Sequence, residues 1–437
     1  MAISNGYTYT PSGADCTITN YDPTTSSHGY DPVIPATLDG YNVIKCDDDS
    51  FRLKLLTSVT FNNIVELGTN SFSLNGTITI NVNANLTTSA ITYVQAPFYQ
   101  CTTSTINIDN AVTSLGNYIF SFCGVYNITI PTGLTNIPNH FLSYNSISTI
   151  TIPSNITNIG DYAFYNNSIT SLSLDYDVNL ESLCFAGNTN LQLTLNADIT
   201  TSGISSYLSA PFKDCAISDG LTIESSCTSL GNYVLSSCGL TIAELTATLD
   251  TMGNQCLSYN ADLDKVYAYN ETMTIGSSLL SNSKSALDPG TVYSYSGSDI
   301  ETYVNGISNY DFAGIGNYLQ ISNTNYQLDI FSYSETHELA LNERQTIINP
   351  TDLQAQSSVI VCNGFRKMRF TITGVCSISV YNTFVTNMQA GTLIYPIIFV
   401  DTNLFLDGTE GYYFTDISKD HKVANSLCWY TFNFIKA

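Results

Sequence analysis

The sequence repeats itself at a nearly constant step, and this period constrains the fold more than any other feature. Three apolar–polar–apolar triplets stand 22 residues apart: Ile128-Thr129-Ile130, Ile150-Thr151-Ile152 and Leu172-Ser173-Leu174. The clearest single repeat is ISTITIPSNITNIGDYAFYNN, which spans residues 147–167. A period in the low twenties is typical of a solenoid, in which each repeat forms one turn and buries its apolar side against its neighbours.

One short strand per repeat is predicted, and successive strands stack into a parallel sheet. The central residues of the inferred strands are Thr60, Thr79, Asn107, Thr129, Thr151, Ser173, Thr194, Thr222, Glu244 and Tyr267. Because side chains alternate across a strand, the flanking apolar residues point into the core and the central residues point outward. Ten strands at a spacing of about 4.8 Å make an outer face on the order of 50 Å long. The other side of the core is predicted to hold one phenylalanine per repeat: Phe51, Phe72, Phe98, Phe120, Phe141, Phe164, Phe185 and Phe212.

Two repeats are longer than the others, and both carry the same insertion. Residues 86–101 read LTTSAITYVQAPFYQC, and residues 199–215 read ITTSGISSYLSAPFKDC. The segment TSLGNY follows both insertions, at 113–118 and at 228–233, so its two copies start 115 residues apart. These matches indicate the duplication of a block of five repeats.

The two insertions and the outer strand face are the candidate contact surface. Insertions in a solenoid form loops on one face, which is often the binding face. Tyrosine supplies a large contact area at a small loss of side-chain entropy, and it suits both protein and glycan partners. The candidate contact residues are Tyr93, Tyr99, Tyr207, Thr129, Thr151 and Ser173.

The twelve cysteines follow the repeat and do not resemble a disulfide framework. Four of them stand three residues after the Phe or Leu that anchors a repeat: Cys101, Cys123, Cys215 and Cys238. Other repeats hold asparagine in the same slot: Asn75, Asn167, Asn188 and Asn260. A slot shared by Cys and Asn predicts reduced, structural thiols that pack inside the solenoid or bond to the turn backbone. No CxxC or Cys/His pattern indicates a zinc site.

The chain is acidic but sparsely charged, with 11% charged residues and a net charge of −23. No Lys or Arg occurs between Lys54 and Lys213. A nucleic-acid partner is not expected, because phosphate binding needs a basic patch. No hydrophobic run approaches the length of a membrane span, so membrane insertion is not expected either. The N-terminal segment MAISNGYTYTPSG lacks the basic and apolar regions of a signal peptide, which favours synthesis in the cytoplasm without export.

Three regions are predicted before residue 321. Residues 1–50 form an N-terminal cap that contains a hairpin, and residues 51–290 form the solenoid. Residues 291–320 form the C-terminal cap of the solenoid. This cap includes a short helix over residues 298–303, because Ser or Asp stands at its start and Glu301 lies in its first turn.

Residues 321–437 show no repeat and are predicted to form a smaller antiparallel domain similar to a β-sandwich, which makes the whole chain mainly β. Apolar and polar residues alternate over the runs 358–361, 368–372, 377–381, 393–400 and 429–434. This region holds seven of the thirteen basic residues and is expected to attach or oligomerise the protein as a homo-oligomer. Its basic cluster, residues 365–370, is interpreted as a strand edge with protective charges. Docking to phosphate, to an acidic partner protein or to the acidic repeat domain is the alternative.

The sequence contains no pattern of catalytic residues. The motifs G-x-S-x-G, P-loop and HExxH do not occur, and the histidines are only four. The best metal candidate is the acidic run at residues 47–49, yet it falls in the slot that holds Gly160-Asp161-Tyr162 in the clearest repeat. It also lacks the spacing of a calcium-binding loop, so we interpret it as a solvated turn. No enzyme activity, metal or cofactor is therefore expected.

The repeats resemble BspA-type leucine-rich repeats, whose unit reads roughly L-T-s-I-t-I-P-s-s-v-t-s-I-G-d-y-A-F-x-x-C. Residues 147–167 follow this unit nearly throughout. Val33-Ile34-Pro35 resembles the usual beginning of such a repeat region and residues 292–303 its usual end, so the resemblance covers residues 6–316. It implies a leucine-rich-repeat solenoid. The family occurs on bacterial and protist surfaces, and similar modules occur in bacteriophage proteins, which implies adhesion or recognition without chemistry.

Two functions are consistent with these features. The first is a phage virion protein (a fibre, spike or decoration protein) that is made in the host cytoplasm and assembles with other virion proteins. Its repeat domain would present a recognition surface to a host glycan or protein. The second is a cellular surface adhesin of the BspA type. The absence of an export signal, the reduced cysteines and the polar, neutral surface favour the first.

Overall fold

The structure is a computed structural model, and the residues it describes are 1–89, 92–218, 220–270, 272–294, 298–314, 317–321, 324–338, 367–377, 394–400, 403–407, 412–422 and 427–436. The chain forms two compact units. The first comprises residues 1–291 and 303–311, and the second comprises residues 292–302 and 312–437. The repeats and the candidate contact surface lie in the first unit.

The first unit begins with three antiparallel strands, and the predicted hairpin is confirmed. Their bounds are Ala2–Ser4, Tyr7–Ser12 and Asp15–Tyr21. Tyr7 pairs with Tyr21 across the hairpin. Both rings are buried with centroids 4.9 Å apart, and the Tyr21 ring stacks on Phe51 at 5.1 Å. The hairpin thereby covers the end of the core that has no preceding repeat.

On one side of the solenoid, parallel strands form the face that the apolar–polar alternation predicts. Their bounds are Val33–Ile34, Ser58–Phe61, Thr77–Val82, Thr102–Ile108, Ser171–Leu174, Gln192–Leu195, Leu221–Ile223, Ile242–Leu245 and Lys265–Ala268. Thr194 pairs with Thr222 in the expected register. Nearer the N-terminus, Thr60 pairs with Asn81 and not with Thr79, so the expected centre of that strand is displaced by two residues.

The parallel face is interrupted at Thr129 and Thr151, where the described residues form no strand. Each of these threonines is followed, two residues later, by a proline: Pro131 and Pro153. In a regular turn the residue at that position donates its N–H to the preceding turn, as Asn196 does at 2.9 Å. Proline has no N–H, so these two turns lose the bond that would close the ladder. The prediction of strands centred on Thr129 and Thr151 is therefore wrong.

A second ladder of short strands runs along another side of the solenoid. The sequence patterns do not predict this ladder. The bounds of its strands are Tyr41–Cys46, Val65–Leu67, Leu86–Thr88, Asn136–Ile137, Asn158–Ile159, Val178–Leu180, Ile199–Thr201, Ser229–Leu230, Thr251–Met252 and Thr274–Ile275. These strands pair in parallel within two sheets, and Thr37–Leu38 adds a short antiparallel strand to the first. Most of them span two or three residues, which is too short for an alternating pattern to be recognised.

On the third side, most turns bend through two residues with a left-handed backbone, four positions apart, and the two turns that carry the insertions have one such residue, Gln100 or Asp214. The left-handed residues of these bends are Asp49, Leu53, Asn70, Leu74, Gln100, Tyr118, Phe122, His140, Tyr144, Tyr162, Asn166, Leu183, Asp214, Tyr233, Ser237, Gln255, Tyr259, Ser278 and Asn282. Tyr162 and Asn166, both with φ of 55°, donate their N–H groups to the next turn at 2.9 Å. A left-handed φ is strained for residues other than glycine, and these bonds between turns help to offset the strain.

The predicted phenylalanine column is confirmed. All eight rings are fully buried, and the centroids of successive rings lie 4.5 to 6.4 Å apart. Burying one such side chain contributes about 1.5–3 kcal/mol, so the column is a main source of cohesion between turns.

The slot shared by asparagine and cysteine joins each turn to its neighbour, as predicted. Asn188 is fully buried, and its Nδ2 donates to the carbonyls of Phe164 (3.0 Å) and Phe185 (2.6 Å). Its Oδ1 accepts the N–H of Ile169 at 3.0 Å. Cysteine makes a simpler version of the contact, since Cys101 Sγ donates to a phenylalanine carbonyl at 3.2 Å. None of the nine cysteines whose side chains the structure describes forms a disulfide, and all nine are buried.

The repeats are followed by a strand, a helix and a strand: Gly290–Ser294, Asp299–Val304 and Tyr310–Gly314. Ser298 Oγ accepts the N–H of Glu301 at 3.3 Å, which caps the predicted helix. The helix has six residues, and none of the described residues form a helix long and apolar enough to cross a membrane.

The described strands from residue 317 onward form one seven-stranded antiparallel sheet. Their bounds are Asn317–Ile321, Thr324–Glu338, Lys367–Ser377, Ile394–Val400, Asn403–Asp407, Tyr412–Lys422 and Leu427–Lys436. Within Lys367–Ser377, Arg369 and Phe370 have strand partners on both sides, so the edge-strand interpretation of the basic cluster is wrong for these two residues. The strands expected over 358–361 and 378–381 lie outside the described residues, and the sandwich stays a prediction.

Candidate contact surface

The two insertions fold in the same way. Each makes one short 3-10 helix, at Tyr93–Gln95 and at Tyr207–Ser209. An alanine follows in both copies, and its N–H donates to the carbonyl of the tyrosine at 3.2 Å. A proline comes next, and then Phe98 or Phe212 returns the chain to the phenylalanine column. The duplication seen in the sequence is therefore also a duplication of structure.

The first insertion places its tyrosines on an aromatic cluster that crosses four successive turns. The Tyr93 ring lies 4.7 Å from Tyr144 and 6.2 Å from Phe122, between centroids. Tyr99 lies 5.2 Å from Phe122, and Tyr144 lies 5.3 Å from Tyr165. Aromatic pairs at these separations attract each other beyond the effect of burial alone. We call these five residues the first tyrosine group.

A histidine-centred stack lies beside the first tyrosine group. The His140 ring is held between Tyr118 at 4.2 Å and Tyr162 at 4.6 Å, with planes inclined by 15° and 5°. Tyr162 also contacts Tyr165 of the first tyrosine group at 5.2 Å. Burial lowers the pKa of His140 to about 4, and the nearby Asp161 carboxylate opposes this shift only in part. The imidazole is therefore neutral near pH 7, and the stack carries no positive charge.

The second insertion repeats the central contact of the first. Tyr207 stacks on Tyr259 with centroids 3.6 Å apart and planes inclined by 14°. Tyr233 adjoins the same segment, because its hydroxyl donates to the Ser205 carbonyl at 3.2 Å and accepts from Gln255 Nε2 at 3.1 Å. We call Tyr207, Tyr233 and Tyr259 the second tyrosine group.

Each insertion also leaves an aliphatic side chain open to solvent next to its tyrosine. Val94 is 43% exposed and Leu208 is 56% exposed, and Tyr93 itself is 37% exposed. Single exposed apolar residues are common on protein surfaces. The same exposure at the same position in two copies, beside a stacked tyrosine, makes the two insertions the candidate contact surface.

The comparisons with known proteins agree with the repeat pattern. A family model described as "BspA type Leucine rich repeat region" matches in six copies, over residues 91–210 and 197–303. The repeats over residues 91–303 are BspA-type leucine-rich repeats. No match was found among curated proteins.

Solved structures of leucine-rich repeat proteins are similar to this chain over much of its length. A leucine-rich cell surface protein from Faecalibacterium prausnitzii A2-165 is 19% identical, with a TM-score of 0.35 over 71% of this chain and 98% of the other. A leucine-rich repeat protein from Bacteroides ovatus ATCC 8483 is 13% identical, with a TM-score of 0.30 over the same shares. A leucine-rich repeat protein from T. pallidum is 13% identical, with a TM-score of 0.24 over 54% of this chain and 88% of the other.

The polar candidates Thr129, Thr151 and Ser173 lie on the strand side of the BspA-type turns, and all three are exposed. Ser173 Oγ donates to Asp175 Oδ1 at 2.6 Å. Among the described residues, no hydrogen bond connects these three side chains to either tyrosine group. The candidate residues are thus divided: Tyr93 and Tyr99 meet in one cluster, Tyr207 belongs to another, and the polar row is separate from both.

Tyr144 and Tyr259, which complete the two stacks, are absent from the candidates chosen from the sequence. A signal for them exists, because LSYN occurs at residues 142–145 and again at 257–260, which is 115 residues later. Both tyrosines are left-handed residues of a bend. Their stacking on an insertion two turns earlier depends on the path of that insertion, which the sequence pattern does not give.

The acidic run at residues 47–49 has the structural role of a turn. Asp48 Oδ1 accepts the N–H of Thr69 in the next turn at 2.7 Å, and Asp49 pairs with Arg52 at 3.2 Å. The same slot is used elsewhere, since Asp161 Oδ1 accepts the N–H of Ser182 at 2.9 Å. In the part of the chain that the structure describes, no three His, Cys, Asp or Glu residues form a group that could hold a metal ion.

Glu244 is the one acidic centre in the row of outward strand residues. It pairs with Tyr267 across the parallel strands, and it is half-buried. Burial raises the pKa of Glu244 to about 7. Its carboxyl group is therefore partly protonated at neutral pH, which reduces the negative charge of the row there.

Proposed function

We propose that this protein is a recognition protein without catalytic activity, and that its two tyrosine groups contact the partner. The proposal rests on the structural equivalence of the two tyrosine groups. In both copies a 3-10 helix holds a tyrosine on a second tyrosine two turns further on, beside an exposed Val94 or Leu208. Stacked tyrosines are already ordered before binding, so little entropy is lost when they are covered.

The finer proposal is a phage virion protein, which would be a fibre, spike or decoration protein. Its partners would be other virion proteins and a host surface glycan or protein. The nine described cysteines support this role, because buried thiols without disulfides suit synthesis and assembly in a reducing host cytoplasm. Residues 321–437 would join the chains as a homo-oligomer, and a compact unit without repeats supports this division of labour.

A cellular surface adhesin of the BspA type is the second candidate. The match of six repeat copies to the BspA-type model over residues 91–303 favours it, since the resemblance implies surface proteins. Under this alternative the same tyrosine groups would bind the partner, but the protein would be located on a cell surface and not on a virion.

Array binding tests the contact surface. Wild-type protein and the double variant Tyr93→Ala/Tyr207→Ala would be applied to glycans and extracellular proteins fixed on one array. We expect the wild type to bind at least one class and the double variant to lose that binding, while far-UV circular dichroism stays unchanged. Undiminished binding by a folded double variant would contradict the assignment of the surface, and cleavage of a bound glycan would contradict the absence of catalysis.

Mass photometry of the full chain tests the virion role. We expect an oligomer of defined size, since fibres and spikes are usually closed, symmetric assemblies. A strict monomer would count against the virion role without affecting the contact surface. The genes beside this one distinguish the two candidates further: capsid, tail or terminase genes support the virion protein, and transporter or polysaccharide loci support the adhesin.

A further inference from the structure

We propose that the two tyrosine groups bind one linear, neutral polysaccharide at two places along its length. The inference rests on the proposed function, because it takes the tyrosine groups as the contact surface. It adds that the groups act together and that the ligand is a repeating, uncharged polymer.

The spacing of the groups follows from the solenoid. Phe98 and Phe212, which end the two insertions, are five positions apart in the phenylalanine column. Successive turns pair through parallel strands, so five turns place the groups about 24 Å apart along the solenoid axis. Two sites with the same central tyrosine pair, at a fixed distance, suit a ligand that presents the same chemical unit repeatedly.

The local charge favours an uncharged ligand. The first tyrosine group lies in a segment without Lys or Arg, from residue 55 to residue 212. Beside the second group, Lys213 is paired with Asp214. A nucleic acid also stacks on aromatic rings, but its phosphates would meet no cationic groove here. An acidic polysaccharide would lack counter-charges in the same way.

The side chains suit a sugar ring. A pyranose has an apolar face of C–H groups, which packs on an aromatic ring, and a rim of hydroxyl groups, which form hydrogen bonds. Each insertion offers a half-exposed tyrosine for the face and neutral polar groups for the rim, such as the Gln95 amide in the first and the Ser209 hydroxyl in the second. The exposed Val94 and Leu208 extend the apolar strip along which a chain of sugars would lie.

The two sites are alike at their centre and unequal at their edges. Tyr99 and Phe122 of the first group correspond to Lys213 and Ser237 in the second copy, by the offsets of 114 and 115 residues. The first site therefore has the larger aromatic area. We expect it to bind a short oligosaccharide more tightly than the second site does.

Affinity electrophoresis in native gels tests the proposal, with dextran, yeast mannan, laminarin and galactomannan as the polymers. We expect at least one of them to retard the wild type. Tyr93→Ala and Tyr207→Ala should each weaken binding to that polymer by about 100-fold, because two linked contacts commonly gain that much over one. The double variant should migrate as it does without polymer. Tyr93→Phe keeps the ring and should bind as the wild type does, and Tyr176→Ala, which changes a 52% exposed tyrosine outside both groups, serves as the control.

Calorimetry with a trisaccharide of the same polymer separates bivalent binding from the proposed function. A trisaccharide is too short to span about 24 Å, so we expect two bound molecules per chain and no gain in affinity from the second site. If it binds at both sites while the polymer shows no gain over it, bivalency is refuted and the contact surface survives. If no polymer retards the wild type, or if only proteins bind to the tyrosine groups, the polysaccharide assignment is refuted. Binding that Tyr93→Ala and Tyr207→Ala leave intact, alone and together, refutes both proposals.

Discussion

Replacement of Asn188 by alanine removes three hydrogen bonds from the centre of the solenoid. The side chain is fully buried and donates to the carbonyls of Phe164 and Phe185, and it accepts the N–H of Ile169. Alanine leaves these three backbone groups buried without that partner. Each net bond contributes about 1 kcal/mol and an unpaired buried group costs more, so we expect the free energy of unfolding to fall by about 3–5 kcal/mol.

Asn188→Cys is the matched comparison, because the protein uses cysteine in the same slot. Cys215 Sγ donates to the Phe185 carbonyl at 3.2 Å, and Cys101 makes the equivalent bond to Phe72. A thiol at 188 keeps one weak donor and loses the acceptor. We expect its cost to be roughly half that of alanine, about 1.5–2.5 kcal/mol.

Urea denaturation followed by far-UV circular dichroism measures both variants. The slope of the unfolding free energy against urea must be unchanged for the midpoints to be compared, since a solenoid is able to unfold in parts. The reasoning is refuted if the alanine variant loses less than about 1 kcal/mol, or if cysteine is as costly as alanine.

Three further predictions concern single side chains. Gly253→Ala places a Cβ 2.4 Å from the carbonyl carbon of Gly231, so we expect a loss of about 1–3 kcal/mol, and an unchanged urea midpoint would contradict this close approach. The pKa of His140 is lowered to about 4, so its stabilising effect is complete above the unfolded value of 6.5 and is lost as the pH falls toward 4. Urea titrations should show a free energy of unfolding about 1 kcal/mol lower near pH 5 than near pH 7. This difference should be absent in the His140→Gln variant. The pKa of Glu244 is raised to about 7 from 4.5, so its stabilising effect is complete below pH 4.5 and is lost as the pH rises through 7. Glu244→Gln should therefore stabilise the protein by about 1–2 kcal/mol above pH 7 and leave it unchanged near pH 4.5, as thermal melts at the two pH values would show.

The period of the sequence was sufficient to predict the solenoid, its phenylalanine column and the slot shared by Asn188 and the cysteines. Each of these depends on residue types that recur once per turn and face the core. The interruption at Thr129 and Thr151 was missed because the apolar–polar pattern there is intact. The cause is a proline two residues later, which affects hydrogen bonding and leaves the pattern of burial unchanged.

The candidate surface was predictable only in part. Tyr93, Tyr99 and Tyr207 were accessible because they lie in insertions that break the period. Tyr144 and Tyr259 lie within regular turns. Each joins the surface only because the insertion two turns earlier crosses the intervening turn and places its tyrosine on that ring. A contact of this kind depends on tertiary structure, so no local pattern encodes it.

The left-handed bends have a consequence for how such a protein acquires a new partner. Most turns carry two of these residues, and their side chains include Tyr, His, Phe, Leu, Gln, Asn, Asp and Ser. Because the backbone accepts so many types of side chain at these positions, the fold selects only weakly among them. A left-handed φ is nevertheless less favourable for tyrosine than for asparagine or aspartate. The bends thus form two parallel columns of replaceable positions at a pitch of about 4.8 Å, held in place by a core that does not depend on their identity. Tyr118, Tyr144, Tyr162, Tyr233 and Tyr259 occupy such replaceable positions, so the aromatic side chains of this surface can change without a change in the core.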